Sequence, residues 1–187
     1  MAEERGEVYV GGSSRGYTVI DFAYLAVVAV VSGIIFFFTW SVYEAAKAIG
    51  GPVFARLVSY GLWFIGAPLG ASLVRKPGSA FLGETLGALV ESFIPTAGGF
   101  TNLIYGVAQG ALSELVYLAT GYRRFDPLIG GLAGAAAAPA AIALDAILFQ
   151  EIATPAVMTL WIVAAAVGGF IYGAIAAAVA SRLREEE

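Results

Sequence analysis

The chain has 187 residues, 59% of them hydrophobic and 13% charged, whereas a soluble domain carries about 25% charged residues. With a mean hydropathy of +0.83, the length fits one domain whose solvent is lipid rather than water. A net charge of -4 and the absence of His and Cys exclude a basic nucleic-acid surface, disulfides, Cys/His zinc sites, Cys nucleophiles and Ser-His-Asp triads.

Residues 1–17 are polar and Gly-rich and lack the basic-then-apolar build of a secretory signal. They read as a flexible cytoplasmic tail ahead of a membrane domain over 18–182, with an acidic cytoplasmic tail over 183–187. A bilayer core of about 30 Å needs roughly 20 apolar residues in helix. Runs of that size are expected at about 19–43, 52–74, 77–94, 100–120, 127–149 and 155–180. Pro52, Pro77, Pro127 and Pro155 stand at span starts, where the missing N–H costs little. Pro68 and Pro139 stand inside spans and predict kinks.

The loops orient this all-α, six-helix bundle. Arg5, Arg15, Arg75, Lys76, Arg123, Arg124, Arg182 and Arg184 fall on one side, and Lys47 and Arg56 on the other. The positive-inside rule places both termini in the cytoplasm of a multi-pass plasma-membrane protein. Small residues recur at four-residue spacing, as in Gly66 and Gly70, Gly83 and Gly87, Gly106 and Gly110, Gly130 and Gly134, and Gly169 and Gly173. Such pairs let backbones approach closely inside a bundle. An alternative is a lipid-facing strip that docks a partner, with Ala29 and Gly33 or Ala176 and Ala180 as candidates.

The spans also contain acids with almost no bases beside them. Glu84 and Glu91 lie in the third span, Gln109 and Glu114 in the fourth, and Asp145 in the fifth; Arg56 lies near the outer end of the second. An acid at a helix centre costs roughly 2.5–3.5 kcal/mol on insertion scales. These groups must therefore be protonated, hydrated, hydrogen-bonded or neutralised by a cation from outside the chain. Glu84 and Glu91 are two turns apart and share one helix face. Tyr105 and Gln109 fall in the outer half of the bilayer, with Tyr43, Tyr60, Trp63, Trp161 and Trp40. Rings, a carboxylate and an amide in an outward-open pocket suit a flat, partly cationic organic molecule, through stacking, cation–π attraction and charge-assisted hydrogen bonds. The rings could instead form an interfacial aromatic belt. Glu84 and Glu114 could be structural, and Asp145 could cap the loop that follows it. There is no phosphate-binding Gly-x4-Gly-Lys loop, so ATP hydrolysis by that route lies elsewhere.

The stretches Tyr60-Gly-Leu-Trp-Phe64, Val74-Arg-Lys-Pro-Gly78, Glu84, Ala88-Leu-Val-Glu91 and Gly106-x-x-Gln109-Gly110-x-x-x-Glu114 resemble the YkoE family. These are S components of energy-coupling factor (ECF) transporters associated with thiamine or its hydroxymethylpyrimidine precursor. The resemblance is clearest from about Tyr60 to Asp145. It implies a non-enzymatic, cofactor-free membrane protein that captures the vitamin from outside. It also implies partners: an EcfT-like transmembrane coupling subunit and ATP-binding cassette ATPases. The candidate substrate-binding residues are Glu91, Gln109, Tyr60, Trp63, Tyr105, Glu84, Glu114, Asp145, Tyr43 and Trp161. Thiamine's cationic ring and aminopyrimidine match the acid-and-aromatic pocket. The alternatives are a stand-alone secondary carrier for a small cationic aromatic solute, with Glu84 or Glu114 carrying a proton, and a membrane scaffold without ligand.

Overall fold

The computed structural model of the chain describes residues 16–96 and 98–185. The expected tail over 1–17 thus lies outside the described residues except for Gly16 and Tyr17, and at the other end the last helix continues through Glu185 into the expected acidic tail. Every regular element among the described residues is helical: α1 (Val19–Ser59), a 3₁₀ turn (Tyr60–Phe64), α2 (Gly66–Val74), α3 (Ser79–Ser92), α4 (Thr101–Ala119), α5 (Pro127–Ala136), α6 (Ala138–Leu148) and α7 (Pro155–Glu185). Among the described residues, three stretches are long and apolar enough to cross a membrane: Val19–Val74, Pro127–Leu148 and Pro155–Arg184.

This segmentation differs from six uninterrupted spans, and the reasons lie in single residues. At 41 residues, α1 would be about 62 Å long if straight, twice the hydrocarbon thickness of a bilayer. It is broken at Gly51, where φ is 75° and ψ is -173°. A side chain would be strained at that φ, and the extended ψ suits a residue preceding proline. Pro68 and Pro139 cut two further helices. Each ring excludes the carbonyl four residues back and removes one helical hydrogen bond. The chain accordingly loosens to the 3₁₀ turn and Ile65 before Pro68, and breaks at Ala137 before Pro139.

Polar side chains start the helices. Thr18 and Asp21 form a reciprocal capping box, with the Asp21 carboxylate accepting from the Thr18 N–H at 2.6 Å. Asp126 accepts from the N–H groups of Leu128 and Ile129 at 3.1 and 3.3 Å, with Pro127 opening α5. Such caps satisfy donors that have no partner within the helix. Asp21 also pairs with Lys76 at 2.5 Å, tying the start of α1 to the turn between α2 and α3.

Packing follows the small residues. The closest helix associations pair α5 with α7, α3 with α4, α1 with α3 and α2 with α3. Four-spaced glycines meet one another there: a Cβ on Gly83 would lie 2.4 Å from the Gly66 carbonyl oxygen, and one on Gly173 would lie 2.4 Å from the Gly130 carbonyl oxygen. Ala29, Gly33, Ala176 and Ala180 are all buried within the bundle, so the lipid-facing docking strip drawn from the sequence is corrected. These residues are small because another helix of the same chain lies against them. The outward surface is apolar instead, with Val30, Val31, Ile34 and Phe38 exposed on α1 and Val163, Val167, Ile171 and Ile175 on α7. That inversion of the soluble pattern is what a bilayer selects.

A Cβ on Gly169 would meet the Gly134 carbonyl oxygen at 2.5 Å. Gly169→Val should therefore destabilise the detergent-solubilised protein by about 1–3 kcal/mol. Gly16→Ala, where a Cβ meets nothing within 4 Å, should leave the thermal midpoint unchanged.

Candidate functional site

Where helices end at a break, backbone N–H groups are left over, and two of the membrane acids meet them. The restart of α2 after Ile65 leaves the Ala67 N–H without a helical acceptor, and the fully buried Glu84 of α3 accepts it at 2.9 Å. The start of α3 is served in the same way by Glu114 of α4. Its carboxylate accepts from the N–H groups of Gly78, Ala80 and Phe81 at 2.6, 3.0 and 3.0 Å. Helix N-termini carry partial positive charge, so both acids sit where a helix offsets their own.

A third acid has a base. Arg56 of α1 is fully buried, not peripheral as its place near a span end suggests. One of its terminal nitrogens lies 3.3 Å from Asp145 and also bonds Glu151. Its guanidinium lies 4.0 Å from the Trp161 ring centroid and 5.3 Å from that of Tyr60. Asp145 further accepts from the hydroxyls of Tyr60 at 2.5 Å and Tyr105 at 2.9 Å.

The fourth acid differs. Glu91 is 2% exposed; it accepts a hydrogen bond from the Trp40 indole N–H at 2.9 Å, and the Trp63 indole N–H also lies against it. Among the described residues it has no ion pair. Beside it is a cavity of about 200 Å³. Trp63 lies 5.2 Å from Trp40, 5.6 Å from Tyr60 and 6.1 Å from Tyr43, centroid to centroid and mostly edge to face. The four rings make one continuous aromatic wall on α1 and the 3₁₀ turn. Trp63 is held by donating to the Phe36 carbonyl at 3.1 Å. Gln109 of α4 lines the cavity, and among the described residues its buried amide has no hydrogen-bond partner. Exposed Glu44 and Lys47 of α1 and Phe149 after α6 line the cavity as well.

Of the residues picked from the sequence, Glu91, Gln109, Tyr60, Trp63, Tyr105, Glu84, Asp145 and Tyr43 all line this cavity. Glu114 and Trp161 do not, which corrects their placement. Glu114 is taken up by the first turn of α3, and Trp161 supports Arg56 from behind. The picture of acids without bases is corrected as well, because Arg56 serves Asp145 and Glu151 together. Asn102, Glu151, Lys47 and Phe149 were not picked out. Asn102 is two turns before Gln109 on the same face of α4, a spacing that could have revealed it. Glu151 follows α6 in a loop, and only the fold carries it to Arg56.

Removing one member of a buried ion pair leaves the other uncompensated, at a cost of about 3–5 kcal/mol. Arg56→Met should lower the unfolding free energy in detergent by that order, whereas Arg124→Met, which removes an exposed partner of Asp126, should change it by less than about 1 kcal/mol.

Comparison with known proteins agrees with this architecture. The family described as "ABC-type cobalt transport system, permease component" matches residues 20–140. A Bacillus subtilis (strain 168) protein named as an HMP/thiamine permease, YkoE, is 27% identical over 131 residues, which are 70% of this chain and 65% of that protein. The matched region thus spans under two thirds of that relative's length. The crystal structure of an S-component of an ECF transporter has the same fold, with a TM-score of 0.81 at 22% identity, covering 91% of this chain and 87% of that one. The likeness to YkoE seen in the motifs extends over those 131 residues. With this match over residues 20–140 and its apolar helices, the chain belongs to the ABC-type cobalt transport system permease family and is a multi-pass protein of the plasma membrane.

Proposed function

We propose that this chain is the substrate-binding S component of an ECF-type importer and captures thiamine, or its hydroxymethylpyrimidine precursor, from outside the cell. The observation that carries the reading is the state of Glu91. It is a buried carboxylate whose donors are the Trp40 and Trp63 indoles and which has no ion-pair partner among the described residues, beside a cavity walled by Trp40, Tyr43, Tyr60 and Trp63. A cationic ring between aromatic faces would supply the missing charge, and Gln109 would hydrogen-bond an aminopyrimidine edge. The donor set suits an organic cation better than a transition metal, because the chain has no His or Cys. The name of the YkoE relative, an HMP/thiamine permease, supports the same substrate class.

In this reading the chain crosses the membrane six times, with Gly51 separating the first two crossings and both termini in the cytoplasm. Lys76 bonds Asp21 and Arg184 bonds the Leu73 carbonyl, so these basic residues gather at the end where α1 starts. Glu44 and Lys47 lie on the far part of α1, on the cavity side. The positive-inside rule then faces the cavity outward. The chain itself has no catalytic role. Its partners are an EcfT-like coupling subunit and ATP-binding cassette ATPases, which provide the energy.

Calorimetric titration of the purified chain with thiamine should show binding at micromolar Kd or tighter. Binding of neither thiamine nor hydroxymethylpyrimidine at that strength would reject the substrate. Glu91→Gln should weaken thiamine roughly 10- to 100-fold, the scale of a hydrogen bond to a charged group, and weaken a neutral analogue far less. Orientation is checked separately in intact cells. A membrane-impermeant maleimide should label Ala48→Cys and spare Arg124→Cys, and the opposite pattern would reverse the topology.

A further inference from the structure

Asp145 lines the cavity, and its place there suggests a direct contact to the ligand. Its bonding says otherwise. Oδ2 accepts from the Tyr60 hydroxyl at 2.5 Å and faces Arg56 at 3.3 Å, while Oδ1 accepts from the Tyr105 hydroxyl at 2.9 Å. Both oxygens are engaged, the side chain is 10% exposed, and its charge already has a guanidinium beside it. A ligand amine would have to displace a bond that is already made. The groups Asp145 holds are another matter. Tyr60 comes from the 3₁₀ turn after α1 and Tyr105 from α4, so one carboxylate on α6 joins two separate walls of the cavity. Tyr60 in turn packs edge to face on Trp63, at 5.6 Å and 80°.

We infer that Asp145 is a positioning residue: with Arg56 behind it, it locks the Tyr60 and Tyr105 rings in the rotamers that shape the ligand cavity, and it does not contact the ligand itself. A ring held by its hydroxyl cannot swing about χ1, so the cavity is shaped before the ligand arrives. Preorganisation of this kind raises affinity by removing an ordering cost from the binding step. The inference deepens the binding reading above and rests on it for the choice of probes.

The test uses the full chain in detergent, with thiamine and hydroxymethylpyrimidine titrated calorimetrically at pH 8 into the native protein and Asp145→Asn. The amide keeps the shape but cannot accept from both tyrosines. A positioning residue weakens the cationic and the neutral ligand by the same factor, roughly 10-fold for hydrogen bonds of this kind. A loss confined to thiamine would show direct charge contact and overturn the proposal, as would no loss for either ligand. A ligand-free arm decides independently: Asp145→Asn should alter the near-ultraviolet circular dichroism of the tyrosines, and an unchanged spectrum overturns the proposal. If the native chain binds neither probe, the substrate assignment fails while this spectrum still decides the role of Asp145. Should Asp145→Asn not fold, Tyr105→Phe keeps the acid and removes one bond. It should weaken both ligands equally, and unchanged affinity for both overturns the proposal.

Discussion

The structure is governed by the cost of keeping a carboxylate in a medium without water. Each acid inside the bundle must be protonated, hydrated, hydrogen-bonded or neutralised by a cation, because lipid itself offers no partner. Glu84 and Glu114 find the unfilled N–H groups of helix starts, and Asp145 finds Arg56 and two tyrosines. Glu91 finds the indoles of Trp40 and Trp63. The difference between these solutions separates Glu84, Glu114 and Asp145, which tie one helix to another element, from Glu91, which meets indole N–H groups beside the cavity.

The breaks in the helices make this division possible. An unbroken helix satisfies its own interior N–H groups and has none to offer a side chain. Pro68 interrupts the second apolar run, so a helix begins deep in the bundle at Gly66 and presents the Ala67 N–H to Glu84. The same interruption loosens the chain before it into a 3₁₀ turn, and that turn delivers Tyr60 and Trp63 to the cavity. Glycine has a parallel part. Close backbone contact at Gly66, Gly70 and Gly83 brings α2 against α3, which lets a Glu side chain on one helix reach the first turn of the other.

Arg56 shows how a single cation organises one side of the cavity. It is sandwiched with Trp161, held by Asp145 and Glu151, and adjacent to the Tyr60 ring. Buried pairs of this kind contribute little net stability relative to an apolar core. Their value here is geometric, since the pair fixes the acid that fixes the tyrosines. In the aromatic wall the polar ends of Trp40, Tyr60 and Trp63 are occupied by Glu91, Asp145 and the Phe36 carbonyl.

Much of this was legible in the amino-acid order. Hydropathy alone dictates helices in lipid, because only helices and closed barrels satisfy the backbone there. Proline positions marked the interruptions, and the two-turn spacing of Glu84 and Glu91 placed them on one face. Eight of the ten residues singled out for ligand line a single cavity. What the order could not reveal was the partner of each acid. Glu114 lies 36 residues from Gly78 and Asp145 lies 89 residues from Arg56 along the chain, so no local pattern links them. Composition determined the solvent, the secondary structure and the shortage of positive charge, since these depend on residue type and short-range spacing. Only the tertiary structure decided which carboxylates meet a guanidinium or a helix start and which meets indole N–H groups, because that is set by distances between segments remote in sequence.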